Sequence, residues 1–123
     1  MNTQRRERSR LILAAVQMEV DTARCLEDWG NAEAAFRHLE RAHILGQSLT
    51  AAHVRVHWQM LLWGLRHRQA REVRGQLLRI AGAASKTALG CVPHGNTGGA
   101  GVSAVRRMPV PADLQQQLDS FNP

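Results

Sequence analysis

A chain of 123 residues with 44% apolar side chains has material for one domain with a modest core. No run of about 18 apolar residues occurs, so a membrane span is not expected. The net charge of +6, built from fifteen Arg and one Lys against ten acids, favours solubility and acidic partners but does not by itself specify nucleic acid.

The first ten residues are basic, and Leu11-Ile12-Leu13-Ala14-Ala15-Val16 is apolar. Gln17, Glu19 and Asp21 follow at once, so the apolar stretch is too short for a signal-peptide core, and Arg5-Arg6 is a poor twin-arginine signal. A cytoplasmic location is the expectation. There Cys25 and Cys91 would be free thiols, because two cysteines do not make a disulfide framework.

Apolar periodicity near 3.6 runs from about residue 9 to 89 without strand-like alternation. The pattern predicts a first helix from about Ser9, its cap, to Leu26, with Leu11, Ala15, Met18, Thr22 and Cys25 on one apolar line. Asp28-Trp29-Gly30-Asn31 reads as a turn, with Asn31 capping a second helix that reaches Leu45. Gly46 suits the left-handed position past that helix, and Thr50 suits the cap of a third helix ending near His67. A fourth helix is expected from about Gln69 to before Gly90, burying Val73, Leu77, Ile80, Ala84 and Ala88. Gly75, Gly82 and the alanines there would allow another helix to approach closely. Residues 90–101 hold five glycines and read as loop; Pro109 and Pro111 follow, then a short helix from Ala112 to Leu118. The expected fold is all-α, an antiparallel helical bundle of three to four helices over residues 1–90. A Gly/Pro-rich C-terminal tail, residues 91–123, would pack on the same single domain.

One stretch concentrates chemistry. Glu40-x-x-His43 and His53-x-x-x-His57 each place two donors on one helix face, and the two pairs flank a turn. Folding that hairpin about residue 48 brings His43 level with His53 and Glu40 level with His57. On a wheel of roughly 100° per residue, Arg55, Gln59 and Arg66 mark the solvent side of the third helix, opposite His53, His57, Leu61 and Gly64. On the second helix His43 falls inward beside Leu39, with Glu40 and His38 at opposite borders. Buried imidazoles each need a partner, and one shared metal ion satisfies several together. His43, His53 and His57 would ligate through neutral imidazole, with Glu40 as fourth ligand or as a hydrogen-bonding partner behind them. Such a set suits zinc, cadmium, cobalt, nickel or copper(II); it is too nitrogen-rich for magnesium or calcium and lacks the thiolates copper(I) prefers. A di-iron site needs two Glu-x-x-His motifs and more carboxylates than this chain turns inward. Three histidines and a water with Glu40 as base would make a catalytic site, but no second catalytic group or pocket-forming insertion accompanies them, so no enzyme is expected.

Weaker signals fill out the chain. Cys91-x-x-His94 has ligand spacing but stands alone in a loop. Gly95-Asn96-Thr97-Gly98-Gly99 lacks the strand and the Lys-Ser/Thr of a phosphate loop, and reads as a tight turn with positive φ angles. Trp58, Met60 and Trp63 read as core. Arg66, Arg68, Arg71, Arg74 and Arg79 could meet phosphate, but no outward aromatic ladder accompanies them, and nucleic acid is not the expected partner. Gly30-Asn31-x-Glu33-Ala34-Ala35 with Leu39-Glu40-Arg41-Ala42 is similar to the first helix of a tetratricopeptide unit. Such units work in several copies and one is found, so a helical interaction module with a structural histidine network is the alternative.

Ala35-Phe36-Arg37-His38-Leu39-Glu40-Arg41-Ala42-His43, His53-Val54-Arg55-Val56-His57-Trp58 and Gly95-Asn96-Thr97-Gly98-Gly99-Ala100, in that order, resemble a family of small bacterial proteins classed as a domain of unknown function. The resemblance runs from about Asp28 to Leu114 and departs near Gly101 and Val105-Arg106-Arg107. Members are often encoded beside heavy-metal efflux systems, so the resemblance implies a role in metal resistance. The expected partners are the metal ion, from the histidine spacing, and a second copy of the chain or, from the resemblance, an efflux component.

Overall fold

The computed structural model describes residues 2–88, 95–102 and 106–122 of the chain. They form five helices: α1 Thr3–Asp28, α2 Ala32–Gly46, α3 Thr50–Arg66, α4 Ala70–Ala88 and α5 Ala112–Ser120. The protein is all-α, with no strand among the described residues. Helix α1 packs most extensively on α2, and α3 on α4; α2 also meets α3, and α5 touches α2. None of these helices is long and apolar enough to cross a membrane.

Local chemistry sets the helix ends. Asn2 caps α1 by accepting from the Gln4 amide at 3.2 Å, so the helix starts six residues before the expected Ser9. It ends in a 6→1 bond from the Asn31 amide to the Leu26 carbonyl (2.9 Å), closed by Gly30 at φ 81°. Asn31 then caps α2 through the Ala34 amide at 3.1 Å, as expected. Helix α3 ends in the same motif, the Gln69 amide bonding the Gly64 carbonyl at 2.8 Å. Its left-handed residue is Arg68 (φ 54°), a side chain where glycine is the usual choice. Thr50 is the first helical residue of α3 and Leu49 precedes it without a side-chain cap, one position off the expected start.

The core is assembled from Ile12, Val16 and Val20 of α1, Leu39 and Leu45 of α2, Val56 and Met60 of α3 and Leu114 of α5. Burying each large side chain is worth ~1.5–3 kcal/mol. Glu19 ties α1 to α2 through His38 (2.6 Å) and Arg41 (3.0 Å), and Arg41 also reaches Asp113 of α5 at 2.6 Å. Glu27 ties α1 to the end of α3 through Arg66 and His67 at 2.6 and 2.8 Å. The Arg66 hydrogen bond holds the Glu27 carboxyl below its usual range despite partial burial.

Two expected faces are rotated. On α1 the buried line is Ile12, Ala15, Val16, Val20 and Ala23, and Met18, Thr22 and Cys25 are exposed. On α4 Gln76 is fully buried while Leu77 is 56% exposed; the side chains of Ala84 and Ala88 lie outside the described residues. Trp63 packs on the core, with its indole N–H donating to the Ala32 carbonyl at 3.0 Å, but Trp58 is half exposed.

Candidate metal centre

Helix α2 delivers His43 one turn before its end, and α3 delivers His53 and His57 one turn apart on its inward face. Between them the chain turns in Gln47-Ser48-Leu49. Gly46 is not left-handed there; it ends α2 where a Cβ would stand 3.1 Å from Val16 Cγ2 and 3.2 Å from Ala52 Cβ. Lack of room, not backbone conformation, accounts for the glycine.

The three histidines are buried and converge through their Nε2 atoms. His43 Nε2 lies 2.8 Å from His53 Nε2 and 3.1 Å from His57 Nε2, and the last two are 3.1 Å apart. The rings meet edge-on or tilted, with centroids 4.7 to 4.8 Å apart. Each contributes one ligand atom to a group that could hold a metal ion, the group found among the described residues.

Hydrogen bonds behind the rings fix two of the tautomers. His43 Nδ1–H donates to the Asn96 carbonyl at 2.7 Å, an atom that can only accept. His57 Nδ1–H donates to Gln76 Oε1 at 2.6 Å. The Gln76 amide cannot be flipped, because its Nε2 donates to the Gly98 carbonyl (2.9 Å) and to Glu72 Oε1 (2.5 Å). With both protons on Nδ1, the Nε2 atoms of neutral His43 and His57 present lone pairs to each other. No hydrogen bond can form between those two atoms; His53 Nε2 faces both, able to donate to one of them, and a cation among the three nitrogens would accept a lone pair from each. A proton is a poor candidate at His43. Burial, with repulsion from His57 and His53, holds its imidazole well below the usual range against the opposing pull of the Asn96 carbonyl.

The spacing suits a small divalent ion. Bonds of ~2.0–2.1 Å in tetrahedral geometry separate nitrogens by ~3.3 Å, so shifts of a few tenths of an ångström would seat the metal. A family model described as "Protein of unknown function (DUF3703)" matches residues 11–118, most of the chain. The chain belongs to that family. No curated protein and no solved structure matches it. The DUF3703 match contains all three histidines, Gln76 and the whole loop of residues 95–102.

Glu40, grouped with the histidines by its spacing, is not among the converging atoms. Its carboxylate sits against the next step of the loop, where a Cβ on Gly99 would lie 3.4 Å from Glu40 Oε1. With Glu72 it borders a cavity of about 290 Å³ whose walls include Phe36, Trp63 and Thr97. Burial there, and then the charge of Glu72, raises the Glu40 carboxyl above its ordinary value. Cys25 is exposed on α1, away from the buried cluster. Cys91 and His94 lie outside the described residues.

Sequence reasoning missed Gln76, Asn96 and Glu72. The positive φ angles expected of the glycine-rich loop are present at Gly95 (74°) and Gly98 (82°). Its task is different from that of an isolated turn: it closes over the histidines. A Cβ on Gly98 would stand 2.5 Å from His43 Cδ2. Asn96 holds the turn by accepting from the Gly98 amide at 2.9 Å and donating to the Arg106 carbonyl at 2.6 Å. Glu72 anchors the far end, accepting the Ala100 amide at 3.0 and 3.1 Å. A close approach at Gly75 does occur, but to this loop; a Cβ there would meet Ala100 Cβ at 2.6 Å.

Proposed function

We propose that the protein binds one divalent transition-metal ion through the Nε2 atoms of His43, His53 and His57, as a buffer, chaperone or sensor in heavy-metal tolerance. The observation that carries the reading is the convergence of three buried Nε2 atoms within 3.1 Å of one another, two of them turned to that point by an Nδ1–H donated to a buried carbonyl-type acceptor. A histidine ligand that donates its other ring nitrogen to such an acceptor is the usual arrangement behind a bound metal. Asn96 and Gln76 supply it here.

Three neutral imidazoles select a borderline ion, among zinc, cadmium, cobalt, nickel and copper(II). The fourth position falls to water or to a ligand from a delivering or receiving molecule, and Glu40 stands outside the first coordination sphere. A role in heavy-metal tolerance, and a bacterial source, rest on the family resemblance to proteins encoded beside efflux systems, and a cytoplasmic setting is proposed with them. No catalytic role is proposed.

Cobalt(II) titration of apo protein reports the ligand set directly. The expected result is one equivalent bound in a low-symmetry, four-coordinate spectrum, with X-ray absorption placing three imidazole nitrogens at ~2.0–2.1 Å. An octahedral aquo-like spectrum, unchanged by His43→Ala, would leave the cluster as a structural polar network of a helical interaction module.

A further inference from the structure

Helix α1 has a second apolar face that no described element covers. Away from its buried line run Leu11, Ala14, Met18, Thr22 and Cys25, with Trp29 just past the helix end continuing the line, spaced three and four apart and all exposed. Met18 is 69% and Trp29 86% exposed, unusual for side chains of this size in a continuous helical stripe. Ala14 and Thr22 lie four residues either side of Met18, so a large side chain sits between two small ones.

The charges of α1 run against its own dipole. Arg5, Arg6, Arg8 and Arg10 outnumber Glu7 in the first turns, with no acid in the first turn proper, and Asp21, Glu27 and Asp28 outnumber Arg24 in the last turns, with no basic residue in the final one. The positive helix N-terminus disfavours cations and the negative C-terminus disfavours anions. An antiparallel copy of the same helix would offset both, setting basic turns beside acidic ones. Arg10, Asp21 and Asp28 also share one flank of the exposed stripe, which is where charges meet across a helix pair.

We infer that α1 is the contact between two copies of this chain, packed antiparallel about a two-fold axis near Met18. Each Met18 then packs over the partner's small residues, and Arg10 pairs with the partner's Asp28, and the reverse, as an isologous interface requires. The face is separate from the histidine cluster, so the result stands whether or not metal binds.

Sedimentation equilibrium of the full chain across micromolar to sub-millimolar concentration tests this. A reversible monomer–dimer equilibrium that tightens at low salt is expected. Met18→Glu should raise the dimer Kd by at least roughly tenfold, because it buries an unpaired charge. Arg10→Glu and Asp28→Arg should each weaken the dimer, and the two together should restore it. All three positions are exposed, so circular dichroism should show unchanged helix content. A monomer at every concentration would overturn the proposal, leaving the stripe to another partner or a lipid surface. A double variant no tighter than the single ones would overturn the antiparallel register.

Discussion

Replacing Gln76 by Leu keeps the volume of a fully buried side chain and deletes its hydrogen bonds to His57 and to the Gly98 carbonyl. Each group left without a partner costs ~1–3 kcal/mol, and loss of the acceptor frees the His57 ring to change tautomer. Metal affinity measured by calorimetry should fall ~10–100-fold, the usual effect of removing such a partner. Unchanged affinity would contradict the role assigned to Gln76. Gly98→Ala should be harsher, since its Cβ would stand 2.5 Å from His43 Cδ2 on a left-handed backbone; unfolding by denaturant should show a loss of at least ~1–3 kcal/mol. Gly101→Ala, with nothing within 4 Å of its Cβ, should be neutral by the same measurement. The inward aim of the histidines could be read from helical spacing, because four residues on one helix return to one face. The bonds behind them could not, because His57 meets Gln76 from another helix and His43 meets Asn96 across 53 residues. Glu40 shares the histidine spacing yet ends beside Gly99, because periodicity fixes a helix face and not what the loop places against it.

The turn that closes α3 holds Arg68 in a left-handed conformation that disfavours any side chain with a Cβ. Arg68→Gly should therefore stabilise the protein by up to about 1 kcal/mol, reduced by the freer unfolded chain. Equal or lower stability in thermal unfolding would mean that the arginine makes a compensating contact. The loop over the site is itself an element under test: Gly75→Ala drives a Cβ to 2.6 Å from Ala100 and should loosen the clamp without touching a ligand. Faster metal release, read by chelator competition, is the expected signature. Helix existence and order are readable from the 3.6-residue period, and Asn31 marks the start of α2 correctly. The buried face of α1 is not, because its apolar residues form two stripes, and Leu11 with Met18 compete with Ile12 with Val16 on equal terms. Packing on α2 decides between them. On α4 the buried line is centred on a glutamine, which hydrophobic patterning passes over.

The molecule as a whole should respond to acid through His43. Its folded-state value lies well below the ordinary ~6.5, so below that pH the unfolded chain takes up a proton that the folded chain refuses. Stability of the apo protein is then present above about pH 6.5 and is lost as pH falls, by up to ~1.4 kcal/mol per unit for one proton. Metal binding also needs neutral imidazoles, but a proton competes for His43 in the folded site only well below the pH at which the unfolded chain is already protonated. Saturating zinc should raise the Tm of the natural chain at pH 7.5 and leave that of His43→Ala nearly unchanged; an equal gain in both would place the ion elsewhere. The most direct measurement is the metal content of untagged protein, with titration of zinc, cadmium, cobalt, nickel and copper(II) into the apo form, repeated on a His53→Ala/His57→Ala variant. The expected result is one equivalent per chain bound tighter than micromolar, and none in the variant although it remains helical. No binding below the micromolar range, or binding that survives the double substitution, would contradict the three-histidine centre.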